Sequence, residues 1–119
     1  MPRYVILTHD DPFLHWDFML EQDRSLRTWR LSSTPDSEGT ISAEPLPNHR
    51  SHYLDYEGPV SHGRGEVHRW DFGEYAIIEE NDRRLRIRLD GMKLQGEVLL
   101  YVAESDHSAL PWTFQFTSM

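Results

Sequence analysis

Six consecutive residues, Arg84-Leu85-Arg86-Ile87-Arg88-Leu89, alternate charged and aliphatic side chains without a break. Successive side chains of a strand point to opposite faces, so this run has one aliphatic face and one arginine face. No window in the chain holds a helical period for more than two turns. Short β-type runs bounded by turn residues dominate instead, and strands are predicted at Tyr4–Thr8, Trp16–Gln22, Leu26–Leu31, Glu66–Trp70, Glu74–Glu80, Arg83–Leu89, Glu97–Val102 and Trp112–Thr117. Asp90-Gly91 gives a turn signal after the alternating run. Ser32–Gly39 reads as a loop, and Glu44–His52 as irregular or at most one helical turn.

Many short strands in a small chain must hide their edges, and closure does so while leaving one packed interior. The expected fold is therefore mostly β, a compact small β-barrel with short irregular loops, with an open β-sandwich as the alternative. At 119 residues the chain suits one core, so residues 1–119 are expected to form a single domain. The four tryptophans and five phenylalanines supply the apolar area such a core needs.

The absence of cysteine excludes disulfides, thiolate zinc sites and nucleophilic thiols, and fits a reducing compartment. Met1-Pro2-Arg3-Tyr4 leads into a strand-like run without an apolar signal segment, and no stretch reaches membrane-spanning length. The expectation is a cytoplasmic monomer with no membrane partner. A formal charge of −8 argues against a protein that tracks along a nucleic-acid backbone, which needs many cations. It leaves room for recognition of one strand end, where a metal ion can supply the local positive charge. Eleven of the twelve basic residues are arginine, which suits bidentate phosphate contacts and equally follows from a GC-rich genome.

The stretch His9-Asp10-Asp11-Pro12-Phe13-Leu14-His15-Trp16-Asp17 carries the chemistry. His15 and Asp17 are two apart on a predicted strand and share a face, and the short Asp-Asp-Pro turn can fold His9 back beside them. Two imidazoles and a carboxylate can then meet around manganese, zinc, iron or nickel, with coordination positions left open. A plainer reading makes the histidines polar turn residues and has Asp17 bond the neighbouring backbone. A second cluster, from Asn48 to Gly58, holds His49, Arg50, His52, Tyr53 and Tyr56. It could cover a metal and offer a proton or hydrogen bond to a phosphoryl oxygen, or it could be a polar loop with aromatic anchors. Arg84, Arg86 and Arg88 read as a solvated face opposed by Glu79, Glu80 and Glu97. His62-Gly63-Arg64-Gly65 reads as a turn, because no helix follows it. His68 and His107 receive no role.

His9-Asp10, Leu14-His15-Trp16-Asp17-Phe18 and Leu20-Glu21 resemble the opening motif of the 3′-phosphoesterase domain of bacterial DNA ligase D. The likeness continues through Leu26 and Trp29, Asn48-His49, Tyr53, Tyr56-Glu57-Gly58, Gly65, Val67, Trp70-Asp71, Gly73, Leu89, Gly91, Leu94 and Gly96 to Trp112. The resemblance implies a β-barrel that trims the 3′ ends of DNA with manganese, removing a terminal ribonucleoside and then the 3′-phosphate. It implies that His9, His15 and Asp17 hold the metal, that His49 contacts the scissile phosphate, and that Tyr53 supports it. DNA or DNA/RNA 3′ ends are the implied substrate, and a repair ligase or polymerase the implied partner.

The chain departs from the family pattern at Met19, where an arginine is usual, and at Leu7, Ser33, Ile41 and Pro47. A lost cation matters because phosphoryl transfer is catalysed largely by charge stabilisation and positioning. Arg30, Arg50 and Arg64 are the candidate substitutes. Three functional readings follow: a 3′-end phosphoesterase, a catalytically silent end-binding module, and a metal-dependent hydrolase of a small phosphorylated metabolite.

Overall fold

A computed structural model describes residues 2–102 and 112–119. His107 lies outside the described residues. The strands are β1 (Arg3–His9), β2 (His15–Gln22), β3 (Ser25–Leu31), β4 (Ile41–Arg50), β5 (Gly58–Pro59), β6 (Glu66–Asn81), β7 (Arg84–Gly91), β8 (Gln95–Tyr101) and β9 (Trp112–Ser118), with a one-turn 3-10 helix at Ser51–Leu54. Eight strands close into a ring in the order β1-β2-β3-β4-β9-β8-β7-β6, β6 returns to β1, and β5 is a short addition to β6. The mostly β fold expected from the sequence forms, and closure removes most of the open edges that such strands would present.

The alternating run forms β7. Leu85, Ile87 and Leu89 are buried. Arg84 pairs with Glu79 at 3.4 Å and Arg86 with Glu97 at 3.0 Å, which makes the arginine side a solvated face. The strand runs through Gly91, so the turn falls at residues 92–94 and not at Asp90-Gly91.

Two predicted boundaries are corrected. The runs Glu66–Trp70 and Glu74–Glu80 are one continuous strand, β6. Its first half pairs with β1 and its second half with β7, and Gly73 lies at the junction opposite both Tyr4 and Gly91. A side chain at Gly73 would strike the Asp90 carbonyl and Gly91 Cα, so the strands can meet this closely only over a glycine. The second correction is Glu44–His52, most of which is strand β4. Its Pro45 and Pro47 argue against a central strand, yet β4 pairs with β9 only over Ile41–Ala43. Beyond Ala43 the described residues give β4 one neighbour, β3, and proline is tolerated where only one edge of a strand is paired.

The ring is filled by Tyr4, Ile6, Phe18, Leu20, Trp29, Leu31, Tyr75, Ile87, Val98, Phe114 and their neighbours. Side chains on the opposite face of these strands form a second apolar layer on the outside of the β1–β3 wall, where Val5, Leu7, Met19 and Leu26 meet Leu54 and Val67. Leu7 and Ile41, which stand at polar positions of the family pattern, are thus core residues. Arg3 clamps Asp55 through two bonds, of 2.6 and 3.3 Å, holding the chain after the 3-10 turn against β1. Inside the ring the buried Asp71 carboxylate accepts the Tyr4 hydroxyl at 2.5 Å and the Lys93 and Leu94 amides at 2.7 and 3.1 Å. Burial, with Asp71 adding to it, pushes the Tyr4 phenol far above its usual pKa, so its hydroxyl remains a donor. No helix among the described residues is long and apolar enough to cross a membrane.

Candidate metal centre and its cleft

The hairpin of β1 and β2 pairs His9 with His15 and Leu7 with Asp17. Because Phe18 and Leu20 face the interior, His15, Asp17 and Met19 face outward on the same strand. His9 Nδ1 lies 3.8 Å from Asp17 Oδ2, and His15 Nε2 lies 3.3 Å from Asp17 Oδ1. One ligand atom from each of the three residues falls within 4.8 Å of the others.

Backbone carbonyls fix which nitrogen of each ring is free. A carbonyl can only accept, so the His15 Nδ1–H donates to Phe13 O at 2.9 Å, leaving the Nε2 lone pair directed at Asp17. In the same way His9 Nε2–H donates to Arg64 O at 2.7 Å, leaving Nδ1 toward Asp17. Contacts of this kind orient histidines where they ligate metals. The buried His15 Nε2 and Asp17 Oδ1 face each other without forming an aligned hydrogen bond, and neither has another partner among the described residues. Two lone-pair groups in that position are relieved by a proton or a cation. Burial pulls the His15 pKa down, but the Asp17 carboxylate beside it outweighs this and leaves it above the usual value. Bonds of about 2.0–2.2 Å set ligand separations of roughly 3–3.6 Å around a divalent ion. The residues present therefore fit a divalent metal after a small inward closure.

Above the three residues lies a cleft of about 510 Å³ on the outer wall of the ring. His9, Asp17, Met19, Arg30, His49, Arg50, Tyr53 and Arg64 all line it. His15 lies beneath, 1% exposed. His49 reaches the cleft through a bulge in β4. Thr28 pairs with Leu46 and Leu26 with His49, so β4 spends one residue more than β3 between the two pairs. That extra residue puts both Leu46 and His49 on the cleft face, which strict alternation would forbid. The His49 Nδ1–H donates to Pro47 O at 3.0 Å, which frees Nε2. The Tyr53 ring packs against His49 at 6.1 Å between centroids.

Arg30 stands on β3 directly opposite Asp17, and its buried Nε has no partner among the described residues. Arg64 belongs to the turn after Val60, where its guanidinium donates to Ser61 and its carbonyl holds His9. Met19 is buried in the outer apolar layer and closes one side of the cleft. The sequence-predicted residues are therefore together in space. Sequence reasoning missed the carbonyls of Phe13 and Arg64, for which no side-chain signal exists. It also gave no role to Asp10, whose carboxylate accepts the Glu66 amide at 2.9 Å and ties the β1–β2 turn to the Gly65 turn.

Comparison with known proteins bears on the whole arrangement. The DNA ligase D 3′-phosphoesterase domain model matches residues 7–101, a span that contains every residue of the cleft named above. The multifunctional non-homologous end joining protein LigD of Pseudomonas aeruginosa is 32% identical over 104 residues, which cover 79% of this chain and 12% of that protein. The chain thus corresponds to a small part of its multifunctional relative. With the motif, the match over most of the chain and the cleft in agreement, this chain belongs to the DNA ligase D 3′-phosphoesterase domain family.

Proposed function

We propose that this protein is a metal-dependent phosphoesterase that trims nucleic-acid 3′ ends, with His9, His15 and Asp17 as ligands to a divalent ion, manganese in the first instance. The observation that carries the reading is the convergence of His9 Nδ1, His15 Nε2 and Asp17 Oδ1 and Oδ2 under a cleft lined by three arginines. When bound, the ion supplies Lewis-acid polarisation of a phosphoryl oxygen and lowers the pKa of water. Arg30, Arg50 and Arg64 hold the phosphate and offset its charge. His49 Nε2 gives a proton to the leaving oxygen as its bond to phosphorus breaks and the bond from water forms; that oxygen is the ribonucleoside's 5′ oxygen in the first step and the strand's 3′ oxygen in the second. Tyr53 packs on His49 and keeps its ring in place. The first step leaves a 3′-phosphate on the strand and frees the ribonucleoside, the second leaves a 3′-hydroxyl and inorganic phosphate, and a repair ligase or polymerase is the partner able to use that hydroxyl.

Purified protein with manganese and a primer–template ending in a 3′-phosphate or one 3′-ribonucleotide tests this. Wild type should release both groups, and His9→Ala, His15→Ala and Asp17→Ala should each lose tight manganese binding and activity. Full activity in all three variants would end the assignment. The buried Met19 on the cleft wall favours a second reading, a module that binds ends without turning them over. Manganese and DNA binding without product would select it.

A further inference from the structure

Phe13 is the only exposed aromatic side chain among the described residues, at 59%, and its neighbour Leu14 is 55% exposed. It belongs to neither apolar cluster, so folding makes no use of the ring. The ring is nevertheless held in place at the metal centre. The Phe13 carbonyl accepts the His15 Nδ1–H at 2.9 Å, and the ring stands edge-on to His15 at 6.0 Å between centroids. The Arg30 guanidinium lies 6.0 Å from the ring centroid, at the limit of cation–π reach. The turn itself is pinned by the bond from Glu66 N–H to Asp10. A cation of the cleft and an exposed aromatic face thus stand side by side within one residue's reach of the metal ligands.

That pairing matches the two halves of a nucleotide, an anionic phosphate and a flat base. We propose that Phe13 is a stacking platform for the nucleobase of the strand-end nucleotide whose phosphate occupies the cleft, an inference that rests on the cleft being a strand-end phosphoesterase site. Stacking is tolerant of base identity, because every base has a π face, so the platform confers preference for nucleotide ends without sequence preference. A small phosphorylated metabolite without a ring gains nothing from it. Phe13 therefore sets substrate class while Arg30 and the metal residues handle the phosphate.

The test is a cycle of protein and substrate changes. Wild type, Phe13→Ala and Phe13→Trp, each also in a His49→Ala background that suppresses turnover, are titrated with 5′-labelled oligonucleotides ending in a 3′-phosphate. One oligonucleotide carries a normal terminal nucleotide and the other an abasic one. Anisotropy should show Phe13→Ala binding the normal end roughly tenfold more weakly, Phe13→Trp binding it like wild type, and the abasic end bound alike by all three. In turnover, KM should rise by a similar factor for Phe13→Ala with kcat within about twofold. Equal binding of the normal end by wild type and Phe13→Ala would overturn the proposal, including the case in which Phe13 and Leu14 seat another protein. Failure to bind either end would overturn it together with the phosphoesterase reading. Base-dependent binding that Phe13→Ala loses, in a protein that hydrolyses no oligonucleotide, would uphold the platform and overturn the enzyme.

Discussion

Asp17→Asn should make the metal-free protein more stable and the manganese-loaded protein less stable than wild type. Without metal, the buried Asp17 Oδ1 and His15 Nε2 face each other at 3.3 Å, and the only ring proton of neutral His15 points away, to Phe13 O. A buried polar group without a partner costs about 1–3 kcal/mol. An asparagine amide can donate across the same gap to His15 Nε2 and removes a buried charge, so the gain should be about 1–2 kcal/mol. In a chain of this size about 1 kcal/mol moves Tm by about 4 °C, which places the variant about 4–8 °C above wild type in EDTA. Manganese at about a hundred times its Kd adds about 2.7 kcal/mol to wild type and little to the variant, which inverts the order.

The pH dependence has a defined sign. The folded-state pKa of His15 is raised, so its protonated form contributes stability that is complete below the unfolded value of 6.5 and is lost as pH rises through the folded value. Metal-free wild type should therefore weaken as pH rises, and the advantage of Asp17→Asn should widen. Thermal unfolding in EDTA and in manganese, across that range, reads all of this. An Asp17→Asn variant less stable than wild type in EDTA, or stabilised by manganese to the same extent, would refute the reasoning.

Asp71→Ala removes the acceptor of three hydrogen bonds, including that of the buried Tyr4 hydroxyl. It should cost about 4 kcal/mol, read as a fall of about 2 M in the urea midpoint. Gly65→Ala, at φ +76°, would press a methyl group on Asp10 and Asp11 and displace the Arg64 carbonyl from His9. Manganese affinity should fall about tenfold by calorimetry, as when a ligand's orienting contact is lost. Arg86→Ala breaks only a half-exposed pair with Glu97 and should leave stability within about 0.5 kcal/mol and activity unchanged.

The strands were readable where one face is buried and the other wet, because alternation is then written in the side chains. Leu85, Ile87 and Leu89 set β7 in this way, and His15 and Asp17 declared their common face by the same rule. β4 was not readable, because its two prolines argue against a strand that nevertheless pairs with β3 along most of its length. Nor was the unity of β6 readable, since one strand serving two partners along its length is a property of closure. At the candidate centre, the convergence of His9, His15 and Asp17 was legible from their types and spacing. The carbonyls that orient His9 and His15, and the β4 bulge that turns His49 toward the cleft, are backbone events that leave no mark on residue identity.

The cleft's place on the outer wall makes residue parity a guide to consequence. Along β1 and β2, even positions such as Tyr4, Ile6, Phe18 and Leu20 pack the interior, while odd positions such as His9, His15, Asp17 and Met19 look onto the cleft or its floor. Scaffold and chemistry are thus separated by the thickness of one peptide chain. A nucleic-acid end can approach from the side without threading a lumen, and selection can redraw the odd positions while the even ones keep the ring solid.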